Sequence, residues 1–385
     1  MILIMKYELE KLIKNKAFLL TGIISILVIF GVFLVGYYYS QVTYADQNNA
    51  DKGYPDYYSN VSNKYSGEFN DEKVEEVLSS YVDIYQSEHV GDKRPFDVFS
   101  WYIAEAFFPH GEDVYLNMND AVENGKKLTL DQIGIRTIQE VGFARFENPL
   151  KLEGYNTWND LFMVTNYLFM LASLFIIVIC SSVFSGESAS NINQLLVSTK
   201  YGREKLTIGK IMVATTVSIL IFLIIQLISF GFFYYFYGIG GWNGSIQTNF
   251  IMKLFNFPME MNHLEVYLLV IGVQFIGIIS IVGSTLLISS MTKSPYASLA
   301  ISLGAFFLPF LLGQVFQSGN IAKLLNLFPI QHYQVKEMLT IMETDAVFFF
   351  NHFTPNVLLT ITIGLVIKVL SDLMVCLKMK YSQVK

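Results

Sequence analysis

Six apolar stretches, each about 20 residues or longer and nearly free of charge, occupy positions 17–39, 161–184, 211–237, 264–291, 296–316 and 355–377. A helix of that length spans a hydrocarbon core about 30 Å thick, and each stretch is too long for a core strand. The composition agrees: 53% of the residues are hydrophobic and only 15% are charged, against about 25% charged in soluble domains. The chain is therefore expected to be an all-α polytopic membrane protein with six transmembrane helices. The first stretch exceeds the 7–15 residues of a signal-peptide core and ends in Tyr37, Tyr38 and Tyr39, an interfacial aromatic belt, so it is expected to be retained.

Orientation follows from basic residues in the short connections. Lys6, Lys11, Lys14 and Lys16 precede the first span, and Lys200, Arg203, Lys205 and Lys210 separate the second from the third. Lys293 separates the fourth from the fifth, and Lys378, Lys380 and Lys385 form the tail at 378–385. All four segments fall on one side, which predicts cytoplasmic termini. The opposite side receives 40–160, with 22 acidic and 10 basic residues; its net charge of -12 leaves +6 for the rest. An acidic outer domain speaks against a nucleic-acid partner and would draw cationic molecules such as basic peptides.

In the opening segment, 1–16, Met5, Leu9, Leu12 and Ile13 share one helical face, while Lys6, Glu10 and Lys14 follow another. It reads as an amphipathic helix on the inner membrane surface, either a topology anchor or an elbow that touches a cytoplasmic partner. The outer domain at 40–160 is expected to be mainly helical. Asn70 caps a stretch with Val74, Val77, Leu78, Tyr81 and Tyr85 at helical spacing. Thr129 and Gln132 make a capping box before Ile133, Ile138 and Val141. The aromatic-rich 96–108 reads as a further helix, and 40–66 as irregular; aromatic stripes at this spacing are more often core than ligand site. Two further outer segments, 238–263 and 317–354, are too apolar for free loops and read as interfacial or re-entrant.

Catalytic motifs are missing. There is no G-x-x-x-x-G-K-[ST] loop, no H-E-x-x-H, no G-x-S-x-G and no Cys/His cluster with metal-ligand spacing. No catalytic residue, metal site or cofactor of its own is expected. The two cysteines, Cys180 and Cys376, fall near inner helix ends and read as packing residues rather than a disulfide. The histidines, His89, His110, His263, His332 and His352, map to outer segments at irregular spacing. Lys368 is the exception among the nearly uncharged spans, and Asp372 at i+4 suggests an ion pair that snorkels to the inner interface. Asn166, Gln226, Gln274 and Gln314 are amides in or beside the spans, suited to joining helices or, in the first three, to lining a substrate path.

The inner connection at 185–210 is the longest on its side. It joins a helix-compatible stretch, 187–196, to a basic return into the third span. Its residues Ser185, Gly186, Glu187, Leu195, Leu196, Ser198, Thr199, Arg203, Gly209 and Lys210 resemble the inner loop of the type-2 ABC transporter permease family. In that family a small-residue and Glu segment ends the second span, and a leucine-containing helix, a basic turn and a Gly-Lys lead into the third. The amphipathic start, the enlarged first outer loop and the Leu327-Phe328-Pro329 piece agree with the family architecture.

The resemblance implies a permease subunit of a bacterial ABC exporter in the cell membrane, moving a peptide, drug or lipid-like compound. It implies two copies of a separate ABC ATP-binding subunit, which would hold ATP and Mg, and a second permease subunit, identical or related. Glu187, Leu195 and Leu196 would form the coupling helix, flanked by Arg203, Lys210 and the elbow residues Lys6, Leu9, Leu12 and Ile13. Two rival classes are a membrane sensor or immunity protein that binds a ligand through its outer domain, and a membrane enzyme acting on lipid or cell-wall precursors. The enzyme reading requires clustered carboxylates or histidines at one interface, which the sequence does not offer.

Overall fold

The computed structural model describes residues 1–40, 54–87, 94–109, 111–190 and 204–381. Its helices are α1 (Ile2–Ile13), α2 (Lys16–Tyr39), α3 (Tyr54–Tyr65), α4 (Asp71–Tyr85), α5 (Arg94–Phe107), α6 (Gly111–Glu123), α7 (Leu130–Ile133), α8 (Ile138–Val141), α9 (Asn156–Ala189), α10 (Lys205–Phe236), α11 (His263–Met291), α12 (Pro295–Val315), α13 (Gly319–Leu325), α14 (Val335–Met342) and α15 (Phe353–Tyr381). Among the described residues the only sheet is the antiparallel pair β1 (Gly67–Glu68) and β2 (Lys151–Leu152). Six helices, α2, α9, α10, α11, α12 and α15, are long and apolar enough to cross a membrane. The all-α polytopic architecture expected from the apolar runs is what the chain adopts. Two compact units result, one of residues 1–32, 164–229 and 269–385, the other of 33–163 and 230–268.

In the first unit, glycines let helix backbones approach. A Cβ on Gly364 of α15 would lie 2.6 Å from Ile276 Cγ2 of α11, and one on Gly283 of α11 would lie 3.0 Å from Lys368 Cα of α15. Such small-residue contacts replace the hydrophobic drive that is weak between helices in lipid. Ser289 of α11 ties α9 by accepting from the Phe184 and Ser185 amides, both at 3.1 Å, and donating to Ser181 O at 2.7 Å. Lys368 is held within the helix bundle. It makes the expected ion pair with Asp372 at 2.8 Å, is 8% exposed and also donates to Thr215 Oγ1 of α10 at 2.9 Å, so it fastens two helices.

The 317–354 segment folds as α13, a 3-10 turn at Pro329–His332, and α14, with Leu325, Ile330, Met338, Leu339 and Met342 buried. Gln331 of that turn donates to Pro309 O of α12 at 3.0 Å, and Gly313 supplies the room, since a Cβ there would meet Gln331 Nε2 at 2.7 Å.

The second unit is built on aromatic packing. Tyr65 stacks on Phe99, and the Phe143 ring lies 5.0 Å from that of Phe69, 6.0 Å from Phe250 and 4.7 Å from Phe255. Asn70 caps α4 as expected, accepting from the Lys73 amide at 2.8 Å. Three expectations are corrected here. The supposedly irregular 40–66 contains α3, while 41–53 lies outside the described residues. The helix expected after Thr129 is two single turns, α7 and α8, because Gly134 takes φ 73° and a second capping box at Thr137 and Glu140 restarts the chain.

The third correction concerns 238–263, which is neither re-entrant nor free within this unit. Phe250 is in the aromatic core, Ser245 bridges Asn262, and Phe255 O accepts from the Ala144 amide at 2.8 Å. Gly241, at φ 68°, lies so close to Gly154 that a Cβ would fall 2.3 Å from its carbonyl oxygen. His263 is a core residue, its Nδ1 2.9 Å from Gly241 O and its ring stacked on Trp158 at 5.7 Å.

Candidate functional site

Lys11, Lys210, Lys378 and Lys380, from three of the basic segments, come together at one end of the first unit, where α1, the end of α9 and the start of α10 meet. α1 presents three faces. Its Ile2, Leu9 and Ile13 side chains are exposed and apolar, Lys6, Glu10 and Lys14 are exposed and charged, and Ile4, Glu8, Leu12 and the following Asn15 turn toward the protein. The stripe through Leu9 and Ile13 is therefore free to face lipid. The packed face carries an acid, which the sequence reading passed over: Glu8 is 8% exposed. Burial raises its pKa above the usual carboxylate value, against the lowering pull of Lys210 and Lys11.

Glu187 sits in the last turn of α9 rather than at the start of a separate helix. There the unpaired carbonyls of the helix end carry partial negative charge, so a carboxylate is disfavoured unless cations answer it. Two do. Lys210, in the second turn of α10, and Lys11 of α1 each ion-pair with Glu187. The side chains of Glu187 and Lys210 are 5% and 2% exposed, whereas Lys11 is half exposed and also lies 4.0 Å from Glu8. Lys210 Nζ further lies 5.3 Å from the centre of the Phe184 ring. Next to Lys210, a Cβ on Gly209 would come within 3.0 Å of Ile4 Cγ2, so the glycine is where α1 crosses α10. The Gly-Lys pair thus has two jobs, room for one helix and a counter-ion for another.

Further ties hold the same end together. Lys378 of α15 donates to Ser290 O of α11, and Lys380 lies 3.6 Å from Glu204 at the start of α10. Residues 191–203, among them Leu195, Leu196 and Arg203, lie outside the described residues.

The three amides assigned to a path stand in different settings. Asn166 accepts from the Val335 amide at 3.1 Å and so caps the start of α14. Gln226 and Gln274 are 5% and 1% exposed, and neither side-chain amide has a partner among the described residues. Gln274 lines a small cavity with His332, Phe169, Gly277 and Thr360. Burial of His332 lowers its pKa to about 4, leaving a neutral ring, and its Nε2 has no partner among the described residues. Among the described residues no group of His, Cys, Asp or Glu is arranged to hold a metal ion.

A family model described as ABC-2 family transporter protein matches residues 2–372. No curated protein and no solved structure matches the chain significantly.

Proposed function

Since this chain belongs to the ABC-2 family of transporter proteins, and so is a multi-pass membrane permease subunit, we propose that it is the translocating half of an ATP-driven exporter whose hydrolysis is done by a separate subunit. Two copies of an ABC ATP-binding protein, carrying ATP and Mg, would dock on the face formed by α1, the end of α9 and the start of α10. A second permease subunit, identical or related, would complete the path in the bacterial cell membrane, with both termini and the 185–210 loop cytoplasmic.

The observation that carries this reading is the ion-pair clasp of Glu187 with Lys210 and Lys11. It closes the base of the loop that holds Leu195, Leu196 and Arg203 and fixes it to the amphipathic helix. A push on a loop with a slack base would be absorbed locally. With the base clasped, the same displacement is delivered to α9, α10 and α1 together. Glu187 and Lys210 then act as positioning residues inside the permease, and Leu195, Leu196 and Arg203 as the surface that meets the ATPase.

The test is co-purification of the full chain with candidate ABC ATPases, followed by ATP hydrolysis in proteoliposomes. We expect a stable complex whose hydrolysis rate changes when permease is present, and loss of that change when Leu195 and Leu196 are both replaced by Asp. A chain that binds no ABC ATPase with its loop intact would overturn the proposal.

A further inference from the structure

In the second unit, the described residues between 54 and 160 leave three large apolar side chains well exposed, and all three lie on the neighbouring helices α5 and α6. Trp101 of α5 is 40% exposed, and Leu116 and Val122 of α6 are 60% and 43% exposed. The Trp101 ring stacks on Tyr115 of α6, with centres 5.3 Å apart and planes 16° from parallel, so the two helices share one surface. Tyr115 in turn packs on Tyr85 and Phe108, which fixes the shelf to the domain core. Single exposed apolar residues are ordinary on any surface. Three gathered on one face, where the rest of the domain covers its large apolar side chains, mark a contact site.

The spacing on α6 gives this patch a charged edge. Val114 and Met118 are buried in the core. That turns Asp113, Leu116, Asn117, Asp120 and Glu123 outward as one exposed stripe, with Leu116 between Asp113 and Asp120 on the helix face. Asp113, Asp120 and Glu123 have no ion-pair partner among the described residues. The next basic residues along the chain, Lys126 and Lys127, come after α6 has ended and the backbone has turned at Gly125, φ 67°.

Charge decides what can cover such a face. Residues 40–160 include 22 acidic and 10 basic side chains. A second copy of this unit, or an anionic lipid surface, would set like charge against like, whereas a basic partner gains from the same field. The layout also asks for shape, because apolar side chains and acids run side by side along a helix about 20 Å long. A partner helix with one apolar stripe beside one Lys or Arg stripe matches both rows at once.

We propose that the α5–α6 face, formed by Trp101 and the outward stripe of α6, docks a cationic amphipathic helical peptide. Docking there needs no ATPase, and it is independent of the permease reading and of what crosses the membrane.

The experiment uses the full chain in phosphatidylcholine nanodiscs and a fluorescein-labelled Leu/Lys peptide of about 14 residues patterned as an amphipathic helix. Two comparison peptides carry the same residues reordered so that no apolar stripe forms, or Glu in place of every Lys. Binding is read by fluorescence anisotropy against empty nanodiscs. We expect saturable binding of the patterned basic peptide, about tenfold tighter than either comparison, and weaker by about tenfold when salt rises from about 0.05 to 0.3 M. Leu116→Asp separates the two contributions. It adds negative charge at an exposed position, so attraction by charge alone would tighten, whereas docking on the patch should weaken about tenfold. Asp113→Asn with Asp120→Asn should weaken binding about fivefold and flatten its salt dependence. Glu72→Gln with Glu75→Gln removes the same charge from exposed positions of α4 and should change binding less than about twofold.

Unchanged or tighter binding to the Leu116→Asp chain, equal binding of the reordered peptide, or an equal loss from the α4 pair would reduce the effect to a diffuse field and overturn the site. So would a lack of saturable binding by the unaltered chain, or binding no greater than that of empty nanodiscs.

Discussion

Replacing Glu187 by Gln should injure the protein more than replacing its partner Lys210 by Met, although both changes break the same ion pair. Glu187 has two cations and Lys210 has one carboxylate within ion-pair distance among the described residues. In Glu187→Gln, half-exposed Lys11 can turn to water, but Lys210, with 2% of its side chain exposed, loses its ion-pair partner and keeps only the more distant pull of Glu8. Removing one partner of a buried pair costs about 3–5 kcal/mol, chiefly through the charge left behind. In Lys210→Met the carboxylate keeps Lys11, and an apolar side chain of similar length fills the gap, so a cost under about 2 kcal/mol is expected. The double variant should resemble Lys210→Met, because no stranded charge remains. Amide hydrogen exchange in α1 and residues 205–215 reads the difference directly. At 1.36 kcal/mol per tenfold, a 3 kcal/mol loss speeds exchange through local opening roughly 150-fold. Equal loss of protection in the two single variants, or strict additivity in the double, would refute the asymmetry and with it the view of Glu187 as the shared anchor.

Three further outcomes follow from close contacts and burial. Gly209→Val should lift α1 from α10, at a cost of about 1–3 kcal/mol from overpacking against Ile4; cleavage of the N-terminal segment by protease should quicken, and Ile4→Ala in the same chain should restore resistance. His332, held near 4 by burial against an unfolded value near 6.5, binds fewer protons folded than unfolded, so its share of stability is complete above 6.5 and is lost as pH falls toward 4. About 3 kcal/mol is involved at 1.36 kcal/mol per unit, and His332→Gln should flatten the fall in melting temperature between pH 7.5 and 4.5; an unchanged slope would assign the acid sensitivity elsewhere. Gly241→Ala places a methyl 2.3 Å from Gly154 O at a positive φ, so the second unit should lose more than about 1 kcal/mol and tryptic cleavage after Lys151 and Lys253 should accelerate.

The spans were readable because a membrane helix announces itself by length and apolarity alone, with no need to know its neighbours. Asn70 was readable for a similar reason, since a cap acts three residues away. Glu187, Gly209 and Lys210 could be picked out as a pattern, but their physical roles depend on contacts with α1 nearly 200 residues distant in sequence. Glu8 escapes a sequence reading because an acid on an amphipathic helix ordinarily belongs to the wet face, and only the positions of Lys210 and Lys11 make its burial beside Glu187 tolerable. The 238–263 segment was misjudged because Phe250 and Phe255 look the same whether they meet a membrane surface or the rings of Phe69 and Phe143. Gln274 was singled out for its polarity in an apolar run, whereas its neighbours across the cavity, Thr360 and His332, were beyond the reach of any local pattern.

The aromatic core of the second unit joins two stretches of chain that leave the ribosome far apart. Phe69, Phe107 and Phe143 are synthesised early, but Phe250 and Phe255, which close around Phe143, follow only after α9 and α10 have been made. Domains usually fold as they emerge; this one must wait, half assembled, until two membrane helices have been threaded. Its completion therefore requires that both helices have been made, so a chain that ends before Phe250 leaves the rings of Phe69, Phe107 and Phe143 without their later partners.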